Sequence, residues 1–269
     1  MIPSTDRFGT ALGDVVRCVR CSHAQVDPMP DATVIGEAYA QAESHDYIDE
    51  QRGQRATARR TLQRLERYVP DRGHLLDLGC WVGYLLAEAR ARGWQTTGVE
   101  PSEFASRFAR EQLGLDVITG ELFSTPIPSA AFSAVTMSDL IEHLTSPGAA
   151  LDRVRTLLRP NGVLWLALPD AGSLAARRLG RRWWSVIPTH VQYFTRTSIG
   201  TLLRRHGYEL LEINTAPKAF TVRYYLNRIS GYSPAAGRAL VSAATAVGVA
   251  DRLWAPDLRD RMAVIARVA

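Results

Sequence analysis

The chain has 269 residues, 46% hydrophobic and 22% charged, which suits one large core and excludes global disorder. Lys+Arg total 32 against Asp+Glu 27, a net charge of +5; the charges are scattered with acids interleaved, which argues against a dedicated nucleic-acid binder. Three cysteines exclude a disulfide framework, Met1–Asp6 shows no secretory pattern, and the nearly uncharged Ala239–Ala250 stretch is shorter than the roughly 20 residues of a membrane helix, so a cytoplasmic protein is expected.

Residues 1–35 show no helical period and carry Cys18-Val-Arg-Cys21, half the spacing of a zinc site. No second Cys-x-x-Cys exists, so a zinc-ribbon remnant without metal is expected there. Residues 36–70 form a helical extension, with Leu62, Leu65, Tyr68 and Val69 at helical spacing until Pro70. Tyr39 and Tyr47 lie in it and are read as cofactor cover or ordinary packing.

From residue 71 to 269 short apolar runs alternate with helices. Strands are predicted at Leu75–Leu78, Thr96–Val99, Asp116–Thr119, Ala134–Met137, Val163–Leu168, Tyr208–Ile213 and Met262–Val268. Helices are predicted at Tyr84–Arg92, Glu103–Leu113, Pro147–Leu158 and Thr197–His206. Ser146-Pro147 opens the third with a cap residue and a proline at its first position. This alternation predicts an α/β fold: a Rossmann-like, seven-stranded, mostly parallel sheet with helices on both faces. Residues 215–257 break the scheme and read as an insertion before the last strand, an acceptor lid.

The most informative segment is His74-Leu-Leu-Asp-Leu-Gly-Cys-Trp-Val-Gly83, a strand ending in Asp77, then a glycine-bearing turn and a helix. Gly79 lets the backbone turn sharply, and Gly83 allows close packing of the helix start. Glu100 ends the next strand 23 positions after Asp77, the spacing at which an acid accepts hydrogen bonds from a ribose. Either acid alone reads as a solvated strand end; the pair beside the glycine turn reads as a nucleoside site. The turn lacks G-x-G-x-x-G, which disfavours a nicotinamide dinucleotide. An acid at position 77 suits a cofactor bearing both an amino group and a ribose, as S-adenosylmethionine does.

Leu76-Asp-Leu-Gly-Cys80, Gly98-Val-Glu-Pro-Ser102, Gly120-Glu-Leu122, Ser138-Asp-Leu-Ile-Glu-His-Leu144 and Leu158-Arg-Pro-Asn-Gly162 occur in characteristic order and spacing. In this the chain resembles the class I S-adenosylmethionine-dependent methyltransferases. His190-Val-Gln-Tyr-Phe194 and Asp260-Arg-Met-Ala-Val264 narrow the resemblance to the ubiquinone-biosynthesis-like and sugar- or natural-product-methylating branch. The resemblance implies S-adenosylmethionine as cofactor. It implies that Asp77 and the turn Gly79, Cys80 and Gly83 hold the methionine part. Glu100, with Pro101 and Ser102 beside it, would bind the ribose. Glu121 and Leu122 would border the adenine, and Ser138, Asp139 and Leu140 would line the methyl-donor side. Trp81 stands where that family has glycine or a small residue; its ring must pack outward or crowd the cofactor.

His143 and His190 are the candidate acid–base residues, each weighed against a structural role in fixing a loop. Arg177-Arg178, Arg181-Arg182 and Trp183-Trp184 read as a solvated face with packed tryptophans, or as a grip on an anionic acceptor or a membrane surface. The expected activity is methyl transfer to a small-molecule or glycan hydroxyl in glycoconjugate or secondary-metabolite biosynthesis. The alternatives are a nucleic-acid methyltransferase and, given Trp81, a non-catalytic cofactor-binding protein.

Overall fold

The computed structural model describes residues 11–40 and 48–269. A hairpin of β1 (Asp14–Arg17) and β2 (Ala24–Asp27) comes first, where the sequence shows no helical period. Helices α1 (Ala32–Ala40) and α2 (Gln51–Leu65) follow in the expected helical extension, of which residues 41–47 lie outside the described residues. The nucleotide-type core then runs β3 (His74–Leu78), α3 (Tyr84–Ala91), β4 (Gln95–Glu100), α4 (Glu103–Leu113), β5 (Val117–Thr119), β6 (Phe132–Ser138), α5 (Pro147–Leu157) and β7 (Leu158–Pro169). After α6 (Leu174–Leu179) and the short β8 (Gln192–Tyr193) come α7 (Arg196–Arg205) and β9 (Tyr208–Thr215). The insertion holds β10 (Phe220–Thr221), α8 (Val222–Ile229), α9 (Pro234–Ala246) and β11 (Leu253–Trp254), and β12 (Arg261–Val268) closes the chain.

The seven-stranded sheet has the order β5-β4-β3-β6-β7-β12-β9. β12 lies antiparallel between β7 and β9, and the pairs among β3 to β7 are all parallel. Period-two alternation divides each central strand between two cores. Leu76, Val135, Leu166 and Val264 face α5 and α7 through Leu151 and Leu203. Their neighbours Leu75, Ala134, Trp165 and Ile265 face α2, α3 and α4 through Leu62, Leu86 and Ala109. Continuous apolar strands of this kind are stable only when both faces are covered. Ser146 stands at the N-cap of α5 with Pro147 behind it, but its hydroxyl makes no capping bond.

β2 pairs with β8, so the N-terminal hairpin sits on the segment that precedes α7. Ala24, Val26, Trp183, Val191 and Tyr193 form a satellite core under it. The insertion is pinned to α2. Ala219 N–H donates to Thr57 Oγ1 (2.8 Å), and Thr221 donates through its N–H and its hydroxyl to the Glu50 carboxylate (2.9 and 2.5 Å). A Cβ on Gly53 would stand 2.3 Å from the Ala219 carbonyl oxygen, so only glycine permits this approach. No helix among the described residues is long and apolar enough to cross a membrane.

Candidate active site

Parallel strands aim their carboxyl ends at one edge, and ligands bind there. A cavity of about 1850 Å³ opens at that edge, walled by the ends of β3, β4 and β6, by α1 and α2, and by the insertion.

Asp77 ends β3 and is 4% exposed. Among the described residues its one hydrogen bond comes from the Thr136 hydroxyl (2.6 Å) on the neighbouring β6. Burial, opposed by that bond and reinforced by Glu100, pushes its carboxyl up to about 7. Glu100 ends β4 and is 3% exposed. Trp81 N–H donates to its Oε2 (2.8 Å) and Ser102 N–H to its Oε1 (2.9 Å). Burial raises its carboxyl, against the pull of these two donors. Two backbone donors fix the carboxylate plane and leave each oxygen a further lone pair.

The turn between β3 and α3 uses positive φ three times: Gly79 (+69°), Trp81 (+49°) and Gly83 (+81°). This explains why a glycine suits position 81: a tryptophan held there costs roughly 1 kcal/mol or more of backbone strain. Its indole tilts against Phe104 at 6.5 Å and joins the cluster of Val82, Tyr84 and Ala105. The backbone, not the ring, does what the site needs, by holding Glu100. Cys80 is buried in the core below the turn, and burial raises its thiol well above the usual range.

Pro101 lines the cavity, whereas the Ser102 hydroxyl accepts from Ala105 N–H and caps α4. Glu121 and Leu122 line the far end, where α1 approaches so closely that a Cβ on Gly36 would meet Glu121 Oε1 at 2.8 Å. Ser138, Asp139 and Leu140 line the wall after β6. The Asp139 carboxylate on that wall is engaged in two ion pairs. Lys218 and Arg261 both pair with it, and they hold its carboxyl well below the usual range although burial works the other way. Lys218 is the chain's one lysine, and it ties the insertion to the loop beyond β6.

His143 and His190 are brought together, ring centroids 4.5 Å apart and edge-on. His143 Nδ1 bonds the Thr189 carbonyl (2.8 Å) and His190 Nδ1 the Ser185 carbonyl (2.7 Å). A carbonyl has no proton to give, so each Nδ1 carries the hydrogen and each neutral ring keeps its lone pair at Nε2. Burial lowers His143 to about 4 and His190 well below its usual value, with His143 adding to the second shift. Glu142, which the sequence reading leaves without a role, lies beside them, buried at 1% exposure. Burial and the charge of Asp139 push it up to about 8.

The half of the cavity beside the insertion is aromatic. Phe220 stacks on Tyr224 at 4.2 Å, and Tyr225 stands edge-on to Phe220 at 5.9 Å. The Arg177–Trp184 segment divides. Its four arginines are exposed and stand outside the cavity wall, Trp183 is buried in the satellite core, and Trp184 lines the cavity with its Nε1 donating to Asp260 (2.8 Å). Cys18 and Cys21 sit in the β1–β2 turn as free thiols, and N–H groups of Cys21 and Arg20 lower the Cys18 thiol. Tyr47 lies outside the described residues, and of Tyr39 only the helical backbone is described.

This donor set fits S-adenosylmethionine. A buried carboxylate with a single partner suits an ammonium, and an anchored carboxylate one strand away suits a vicinal diol.

The family pattern described as a methyltransferase domain matches residues 49–213. The malonyl-[acyl-carrier protein] O-methyltransferase of Serratia marcescens is 31% identical over 140 residues, 51% of this chain and 54% of that one. The ubiquinone biosynthesis O-methyltransferase of Histophilus somni is 35% identical over 104 residues, 35% of this chain and 43% of that one. The chain thus spans about half the length of these curated relatives. Among solved structures, the Burkholderia thailandensis 1,6-didemethyltoxoflavin-N1-methyltransferase, with S-adenosylhomocysteine bound, aligns over 96% of this chain and 100% of that one. At a TM-score of 0.56 and 16% identity that likeness concerns the fold.

Proposed function

The chain belongs to the methyltransferase-domain family, and from that premise we propose that it transfers the methyl group of S-adenosylmethionine to a hydroxyl oxygen of a small-molecule or glycan acceptor. The observation that carries this reading is the pairing of Asp77 with Glu100 at adjacent strand ends, facing one cavity with an aromatic acceptor half. When bound, the cofactor supplies a methyl group activated by a sulfonium.

Asp77 binds the amino group, and its burial strengthens that contact. Glu100 accepts from the ribose hydroxyls, its angle set by the N–H groups of residues 81 and 102. Leu122 and Glu121 border the adenine. The insertion closes the opposite wall, where Phe220, Tyr224 and Tyr225 exclude water and offer ring faces to a sugar or a planar acceptor. Arg228 on the same wall suits an anionic substituent. His143 and His190 present neutral imidazoles that orient the acceptor; with a pKa of about 4, His143 is too weak a base to carry the reaction by proton abstraction alone. Positioning therefore supplies much of the rate.

Two curated relatives are named for O-methylation, which supports an oxygen acceptor. The setting we propose is glycoconjugate or secondary-metabolite biosynthesis. The exposed arginines 177, 178, 181 and 182 lie outside the cavity, so an anionic acceptor is met by Arg228 rather than by them. The non-catalytic alternative loses its motive, because Trp81 packs on Phe104 and donates its N–H to Glu100.

Calorimetry with S-adenosylmethionine tests the cofactor, and transfer of labelled methyl to a panel of sugars and phenols tests the acceptor. Binding that weakens about 10- to 100-fold in Glu100→Ala is expected. No binding at millimolar cofactor would sink the proposal.

A further inference from the structure

We propose that the amino edge of the sheet, opposite the cofactor edge, carries a binding site for a phosphate-class oxyanion, built on Arg159 and Arg267. A second cavity, of about 170 Å³, opens there. It lies between the connector that follows α2, the start of β6, the head of β7, where the register with β6 shifts, and the end of β12. At roughly 30 Å³ per water it has room for about five waters, enough for a tetrahedral oxyanion and part of the group that bears it.

Three independent observations point to an anion. First, Arg267 Nε is buried and has no hydrogen-bond partner among the described residues. A buried N–H normally has an acceptor, and leaving it without one costs free energy that a ligand oxygen would recover. Second, Arg159 and Arg267 reach one cavity from different strands, while the acids around them are engaged elsewhere. Glu66 pairs with Arg92 and Arg72, and Glu212 is held by Arg64 and Tyr68. Glu209 stands opposite Arg267 in the β12–β9 register, with no ion pair between them among the described residues. Third, neutral donors converge on the same space. Asn161, at a φ of +62°, brings its amide to the cavity wall. Ser133 Oγ accepts from His74 N–H (3.3 Å), which leaves the hydroxyl hydrogen to give. A Cβ on Gly73 would meet Ser133 Oγ at 2.3 Å and Arg159 Nη1 at 3.7 Å, so hydroxyl and guanidinium flank one spot.

Two guanidinium forks carry two positive charges and present N–H groups from two directions. That matches the several oxygens of a doubly charged phosphate better than the two coplanar oxygens of a carboxylate. Asp71, the acid on the rim, is exposed, and its carboxylate is free to face water when the anion binds. β3 begins at this edge with His74, and Asp77 stands near its other end; at about 3.3 Å per residue the two edges lie a strand's length apart. The site therefore goes beyond the methyl-transfer reading and does not rest on it.

The test titrates the full chain with inorganic phosphate by calorimetry, chloride being exchanged to keep ionic strength constant. Saturable binding of one equivalent per chain is expected, with a Kd of about 1 mM or tighter. Arg267→Gln and Arg159→Gln should each weaken it by at least about tenfold. A control carrying Arg177→Gln and Arg178→Gln, which removes as much exposed positive charge elsewhere, should bind like the parent. Melting curves establish that the variants fold; should Arg267→Gln fail to, the exposed Arg159→Gln decides. Phenyl phosphate is titrated in parallel: tighter binding than inorganic phosphate assigns the site to the head of a phosphate ester, and weaker binding assigns it to the free ion. No saturable binding of either probe up to about 20 mM, equal affinity in the parent and the folded Arg159 and Arg267 variants, or an equal loss in the control overturns the inference.

Discussion

Replacing Asp77 with asparagine separates a binding role from a structural one, because the two predict opposite signs. Asp77 is 4% exposed, with one hydrogen bond among the described residues, from Thr136. Its carboxyl lies at about 7 instead of 3.8. Its folded pKa is raised, so its contribution to stability is full below the unfolded value and is lost as pH rises through 7. Keeping it ionised at pH 8 costs on the order of 4 kcal/mol at about 1.4 kcal/mol per pKa unit. An asparagine avoids that cost and still accepts from Thr136, so the ligand-free variant should melt higher than the parent at pH 8 and not at pH 4. Cofactor binding goes the other way. A charge-assisted bond to an ammonium is worth about 1.5–3 kcal/mol, so the variant should bind S-adenosylhomocysteine about 10- to 150-fold more weakly at pH 7.5. In the parent, lowering the pH from 7.5 to 6 reduces the ionised fraction from about three-quarters to about a tenth, and affinity should drop about eightfold. Calorimetry at both pH values, with melting curves of the ligand-free proteins, reads every quantity. Equal affinity in parent and variant, or a flat parent affinity across that range, would refute the reasoning.

Further expectations concern the turn, the insertion and the sheet edge. Trp81→Gly relieves the left-handed strain while keeping the N–H that holds Glu100, so S-adenosylhomocysteine affinity should stay within about threefold while stability drops from lost packing on Phe104. A tenfold gain in affinity would mean that the ring obstructs the site. Gly53→Ala drives a Cβ into the Ala219 carbonyl and should destabilise the protein by about 1–3 kcal/mol, with faster amide exchange across 219–225; unchanged exchange would contradict the tight seat of the insertion on α2. Burial works to raise Glu212, yet bonds from Arg64, Asn214 and Tyr68 prevail and hold it at about 2. Its folded pKa is depressed, so its contribution is present above the unfolded value of about 4.3 and is lost as pH falls towards 2. Glu212→Gln should flatten the acid limb of a melting-temperature profile between those values, and an unaltered limb would dismiss that role.

The sheet was legible because its strands are apolar runs of the right length, punctuated by glycines that close helices. Glu103–Leu113 is a helix at the predicted bounds, capped by Ser102 and ended by Gly114 at positive φ. The candidate cofactor edge was legible for the same local reason: Asp77, Gly79, Gly83 and Glu100 fall within one β-α-β unit. What escaped the sequence depends on contacts between distant residues, which leave no periodic trace. Asp139 lines the cavity after β6, and its ion-pair partners Lys218 and Arg261 lie 79 and 122 positions away. The N-terminal hairpin is completed by β8, and His23 Nε2 meets Gln192 across 169 positions. Glu142 reads as an ordinary acid until the fold sets His190 beside it. The positive φ at Trp81 is likewise invisible in a residue type that favours no such conformation, and only the structure explains why glycine suits that place.

The central claim is that Asp77 and Glu100 hold S-adenosylmethionine at the sheet edge with its methyl donor facing the aromatic half of the cavity. A crystal structure with S-adenosylhomocysteine tests it most directly. The account predicts the amino group on Asp77, the ribose hydroxyls on Glu100, and the sulfur turned towards His143 and the insertion. A ligand seated elsewhere, or one whose ribose avoids Glu100, would contradict it.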